Sequence, residues 1–155
     1  MLRLRTARAL TAAAILGAAT LGAISFAGPT SAAIGTIKCT KLVGNLNTTV
    51  TLSGCNGNTG GASMAIPATN LATGGAIPWV NGQSTTVTLS ANQTESDGDA
   101  GGSCSVATTE FEATGTVTAD TTGSAIVGGK AKAEACVNLT TGKITLEPGT
   151  ALKLK

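Results

Sequence analysis

Cysteine is the residue best suited to chemistry in this chain, and it occurs four times, at Cys39, Cys55, Cys104 and Cys136. A thiolate can ligate a metal, attack a carbonyl carbon or close a disulfide. Zinc sites favour Cys-x-x-Cys spacings or histidine partners, and the sequence has neither. A thiol nucleophile ordinarily relies on an imidazole, and no histidine is present to supply one. That leaves disulfides, in one of three pairings. The sequential pairing, Cys39–Cys55 with Cys104–Cys136, is the expectation. By chain entropy the two loops would contribute about 3 and about 4 kcal/mol.

Carboxylates are the next candidates. Glu95-Ser96-Asp97-Gly98-Asp99 could offer three of them, Glu95, Asp97 and Asp99, to a calcium ion. The twelve-residue calcium loop is not matched, however: the closing glutamate and the flanking helices are both missing. A solvated loop beside Gly101-Gly102 is the plainer reading. Glu110 and Glu112 would project from one strand face about 7 Å apart, within reach of glycosidase geometry. On a threonine-rich strand the same pair reads as a solvated stripe facing lysines. Serines are plentiful but lack their usual base, and Gly128-Gly129-Lys130 is followed by Ala131 and lacks the first glycine of a phosphate loop. No catalytic residue, resident metal or cofactor is therefore expected. Trp79 is the only indole, beside Asn81-Gly82. It is either the central packing residue of the core or a partly exposed contact for a ligand or partner.

The charge balance depends on the first thirty-three residues. Arg3, Arg5 and Arg8 precede an Ala/Leu/Ile/Gly run from Ala9 to Ala27, and Thr30-Ser31-Ala32-Ala33 suits cleavage after Ala32 or Ala33. Residues 1–33 read as a signal peptide and 34–155 as one secreted domain. A retained anchor is the rival, because about twenty apolar residues can cross a bilayer. Once 1–33 is removed, seven lysines stand against eight acids, so the formal +2 becomes −1. No arginine remains, and one Trp with one Phe is all the aromatic surface left. Nucleic acid and, after cleavage, the membrane are not expected as partners. An extracellular protein or a small apolar ligand is.

The elements that must position these residues are strands. From residue 34 on, apolar residues alternate with Thr or Ser and are punctuated by Gly and Asn every eight to twelve positions. Leu, Ile, Val and Phe make up only about a fifth of this part, so disulfides matter to its stability. Gly35 to Val43 and Thr48 to Cys55 form a hairpin. If Asn45 opposes Thr49, then Leu42 meets Leu52 and Cys39 meets Cys55, with leucines on one face and cysteines on the other. Ala76 to Val80 and Gln83 to Ala91 flank Asn81-Gly82. A two-residue turn there pairs Trp79 with Ser84 and puts Trp79 and Ile77 on the opposite face from Val87 and Leu89. Asn92 to Ser103 reads as a loop and Ser105 to Asp120 as a long strand. Lys130 to Val137 then returns, with Lys130 and Lys132 opposite Glu110 and Glu112 and Cys104 near Cys136. Lys143 to Glu147 and Ala151 to Leu154 close the domain. The repeat of Thr48–Ser53 at Thr85–Ser90 reads as convergent strand composition.

The Ala/Gly-heavy leader, the Thr/Gly-rich remainder, and runs such as Thr114-Gly115-Thr116-Val117-Thr118-Ala119-Asp120 and Gly142-Lys143-Ile144-Thr145-Leu146-Glu147-Pro148-Gly149-Thr150 resemble small secreted Thr/Gly-rich β proteins of high-GC Gram-positive bacteria. The likeness implies a compartment and no activity. In scale the chain is also similar to the enediyne-chromophore apoproteins, small secreted immunoglobulin-like sandwiches with four cysteines. Their short disulfide loops do not match the spacings here, so that similarity speaks to architecture alone.

The sequence thus predicts an all-β domain, a small immunoglobulin-like or related β-sandwich of about 7–9 short antiparallel strands with two disulfides. Its expected role is a non-enzymatic extracellular or envelope-associated recognition or structural module. The alternatives are a small-molecule carrier with a pocket between the sheets and, less favoured, a carboxylate-based hydrolase.

Overall fold

A computed structural model of the chain describes residues 35–95 and 103–155. Residues 1–33, expected to be a signal peptide, lie outside the described residues, as do Asp97 and Asp99; of Glu95 only the backbone is described.

Among the described residues nine strands follow in chain order: β1 (Ile37–Asn45), β2 (Thr49–Cys55), β3 (Ile66–Pro67), β4 (Gly74–Pro78), β5 (Ser84–Glu95), β6 (Thr109–Asp120), β7 (Lys130–Val137), β8 (Lys143–Leu146) and β9 (Leu152–Leu154). One four-residue helix, α1 (Thr69–Ala72), sits between β3 and β4. All pairings are antiparallel, and the strands form one sheet in the order β3-β2-β1-β8-β7-β6-β5-β4. The strands β8 and β9 share one slot: each pairs with β1 on one side and β7 on the other. They are one strand interrupted by a turn at 147–151, where Thr150 N–H donates to the Glu147 carbonyl at 3.1 Å.

The sheet curls until its edges meet. Residues 62–64 bridge both edges, Ala62 to Ser53 beside β2 and Ser63 to Trp79 beyond β4. Met64 N–H donates to the Pro78 carbonyl at 2.8 Å and Val80 N–H to the Ala62 carbonyl at 3.2 Å. Side chains from every strand accordingly meet in a single apolar core. The domain is all-β as expected, but among the described residues its strands form one sheet folding over its own inner face in place of the two facing sheets of a sandwich.

The first hairpin has the expected register, with Cys39 opposite Cys55 and Leu42 opposite Leu52. The expected separation of cysteines and leucines onto opposite faces does not hold: Cys39 and Leu42 are both buried in the same core. The cause is Gly54, whose φ of +62° breaks the two-residue alternation between Leu52 and Cys55. Thr40 and Lys41, opposite this kink, both face solvent.

Three other expectations shift. The turn after Trp79 spans three residues, with Trp79 N–H donating to the Gln83 carbonyl at 2.8 Å and Ile77 opposite Thr85. That one-residue slip turns Ile77 and Trp79 onto the inner face shared with Val87. The strand β5 runs on through Asn92–Glu95, residues expected to lie in a loop. The strand β6 begins only at Thr109, and Ser105–Thr108 is a turn in which Thr108 N–H donates to the Ser105 carbonyl at 2.8 Å.

Candidate functional site

The inner face of the sheet is unevenly filled. At the end where residues 62–64 close the curl, Trp79, Ile37, Ile77, Leu154 and Val117 are buried and fill the interior. At the other end the central strands present small side chains: Ala133 and Ala135 from β7, Ala113 from β6 and Ala91 from β5. A leucine projects about three carbons further than an alanine, so four alanines in neighbouring positions leave room rather than a packed layer. The result is an open pocket of about 180 Å³ lined by thirteen residues, every one of them Leu, Ile, Val, Phe or Ala. Leu42, Val137, Ile144 and Leu152 line its buried part. Leu46, 37 % exposed, and Ala72 at the end of α1 stand at its mouth. The helix α1 packs against β4 and β5 and brings Leu71 and Ala72 to the rim.

Trp79, singled out in the sequence as a possible ligand or partner contact, is 0 % exposed and lines no part of this pocket. Its Nε1–H donates to Thr85 Oγ1 at 2.9 Å, and Thr85 Oγ1 donates to Asp120 Oδ1 at 2.6 Å. Asp120 also accepts from Thr122 Oγ1 and from the backbone N–H groups of Ser124 and Ala125 at 3.1 and 3.2 Å. Partial burial would raise the Asp120 pKa, but the hydrogen bonds from Thr85 and Thr122, and then from the Ala125 and Thr122 backbone, outweigh it and hold the carboxyl below its ordinary 3.8. Asp120 attracted no attention in the sequence; the cluster Thr121-Thr122-Gly123-Ser124 after a strand-ending Asp is the local signal for such a knot.

Cys39–Cys55 and Cys104–Cys136 are both disulfide-bonded, and no cysteine is free among the described residues. The second bridge does not arise from extended strand pairing. Cys136 opposes Glu110, and Cys104 reaches it from the loop that precedes β6. Two disulfides accord with an oxidising, non-cytoplasmic setting.

Glu110 and Glu112 lie on the outer face, away from the pocket. The expected pairing with Lys130 and Lys132 is displaced: Lys130 opposes Thr116, Lys132 opposes Thr114 and Glu112 opposes Glu134. The nine-residue connection 121–129 sets this register, since β7 starts only at Lys130. Lys132 Nζ reaches diagonally to Glu112 at 2.7 Å and along its own strand to Glu134 at 2.8 Å. Those two hydrogen-bonded carboxylates, Glu112 first, hold the Lys132 ammonium well above its ordinary pKa. Glu110 accepts from Thr94 Oγ1 at 3.2 Å. Among the described residues no three Cys, Asp or Glu side chains gather as metal ligands; of the carboxylates weighed for calcium, Asp97 and Asp99 and the side chain of Glu95 lie outside those residues. No helix among them is long and apolar enough to cross a membrane.

No protein-family model, curated protein or solved structure matches the chain.

Proposed function

We propose that the chain is an exported, non-enzymatic binding protein whose open apolar pocket holds a small hydrocarbon group. The observation that carries this reading is the pocket itself, with about 180 Å³ of space walled entirely by carbon. That volume is comparable with the roughly 150 Å³ apolar cavity that stays dry and admits benzene. It is below the roughly 300–1,000 Å³ typical of drug-sized ligands, so a single ring or the end of a short acyl chain fits it. With no polar group in the lining, affinity comes from apolar burial, and any polar part of the ligand stays outside the mouth beside Leu46 and Ala72. Export is supported by the Arg-led apolar leader and by the two disulfides.

The test is a methyl-resolved NMR titration of the mature domain with toluene and with octanoate. Shifts confined to the methyl groups of Leu89, Ala133 and Ile144 are expected with at least one of them. Ala133→Leu, which fills the pocket, should remove those shifts and stabilise the domain by about 0.5–2 kcal/mol. Unmoved pocket methyls with both compounds, or shifts that persist in the filled variant, would refute the reading.

A further inference from the structure

Of the seven lysines after residue 33, five are brought together on one stretch of outer surface. Lys38 on β1 pairs directly with Lys153 on β9, and Lys153 pairs directly with Lys132 on β7. Two residues along, Lys155 N–H donates to the Lys130 carbonyl at 2.9 Å, which sets a second pair beside the first row. Neighbouring strands lie about 4.8 Å apart and alternate residues about 7 Å apart, so the five ammonium groups root in a patch of about 10 by 7 Å. Like charges placed directly opposite one another weaken a sheet. Glu112 and Glu134 both engage Lys132, and among the described residues Lys38 and Lys153 have no ion pair. Between them the interruption of β8 and β9 leaves a recess of about 210 Å³, walled by Lys38, Lys132, Lys153, Glu134 and the turn Gly149–Ala151.

We propose that this recess and its flanking lysines bind a phosphate-bearing polyanion, with one phosphate between Lys38 and Lys153 and its neighbours over Lys130 and Lys155. The patch is wider than a single phosphate needs, which favours a chain over a free ion. Lysine supplies point charges without the bidentate geometry of arginine, and Trp79 is buried, so nothing at the patch stacks on a base. Recognition is therefore of repeated charge and not of sequence. A recess between the lysines admits a flexible chain better than a flat bilayer, although Ile126 and Val127 stand 48 % and 60 % exposed four and three residues before Lys130.

The experiment is calorimetric titration of the mature domain with inorganic polyphosphate at low and moderate salt, beside inorganic monophosphate and phosphatidylglycerol vesicles. Polyphosphate should bind much more tightly than monophosphate, with an affinity that falls steeply as salt rises. Lys38→Gln with Lys153→Gln should weaken it by about tenfold or more, on the scale of lost charge-assisted hydrogen bonds. Lys143→Gln, on β8 away from the patch, should change it less than twofold. No polyphosphate binding, or equal losses in the Lys143 variant, would overturn the proposal. So would tighter binding to vesicles than to polyphosphate that is abolished by Ile126→Ser with Val127→Ser, because the site would then be a membrane contact.

Discussion

At the scale of single residues, the chain's only tryptophan is held by a relay of two hydrogen bonds that ends on a carboxylate. Thr85 is 0 % exposed and uses its one hydroxyl twice, accepting from Trp79 and donating to Asp120. Replacing it with valine keeps the shape but leaves a buried indole N–H unpartnered, a loss of about 1–3 kcal/mol. Urea unfolding followed by tryptophan emission should show that loss for Thr85→Val and a comparable one for Asp120→Asn. The Asp120 variant should also differ in pH dependence. The folded pKa of Asp120 is depressed, so its contribution is fully present above the unfolded pKa and fades as pH falls through the folded value. The stability gap between the native protein and Asp120→Asn should therefore be constant near neutrality and narrow below about pH 4. A gap independent of pH down to 2 would show that the hydrogen bonds do not depend on the charge. The buried position of Trp79 was one of two readings open in the sequence. A turn one residue longer than Asn81-Gly82 suggested is what brought the indole to the inner face.

At the scale of elements, strand existence was legible because Thr/apolar alternation and glycine punctuation are local signals. The strand Lys130–Val137 and the register of the first hairpin could be read directly, since a mirrored pair of leucines and a mirrored pair of cysteines admit one alignment. Registers that depend on a long connection could not, and the displacement of Lys130 and Lys132 from Glu110 and Glu112 follows from that. The two disulfides do different jobs at this scale. Chain entropy ranks Cys104–Cys136 above Cys39–Cys55, at about 4 against about 3 kcal/mol. Cys39 is also wholly buried in the apolar core and Cys55 packs against it, whereas the buried Cys136 and half-buried Cys104 lie outside that cluster, so removing the first bridge adds the larger packing loss. Cys39→Ala with Cys55→Ala should therefore destabilise the domain at least as much as Cys104→Ala with Cys136→Ala, measured by denaturant midpoints. The second pair should leave the far-ultraviolet dichroism of the sheet intact, because β6 and β7 still share eight paired positions from Thr109–Val137 to Thr116–Lys130. Collapse of the sheet signal in that variant would count against this division.

For the whole molecule, curling one sheet onto itself creates both candidate sites. The inner face gathers alanines from β5, β6 and β7 into a pocket, and the outer face gathers lysines from β1, β7 and β9 into a patch. A patch of facing lysines implies a salt effect that needs no ligand. In low-salt buffer Lys153→Gln should melt at a higher temperature than the native domain, and the difference should shrink as ionic strength passes about 0.1–0.15 M, where screening acts within 8–10 Å. A native domain that melts higher than the variant at every salt concentration would mean that the lysines are not in mutual repulsion. Residue types and short-range alternation, both local properties, determined that the chain after residue 33 is a β domain with disulfides, lacking imidazole and arginine. Net charge averages over the surface and hydrophobic content averages over the core, so neither could show where lysines or alanines accumulate. Only the tertiary structure decided that, by setting side by side residues separated by up to 115 positions of chain: Lys38 against Lys153, and Ala91 and Ala113 around one pocket with Ala133 and Leu152.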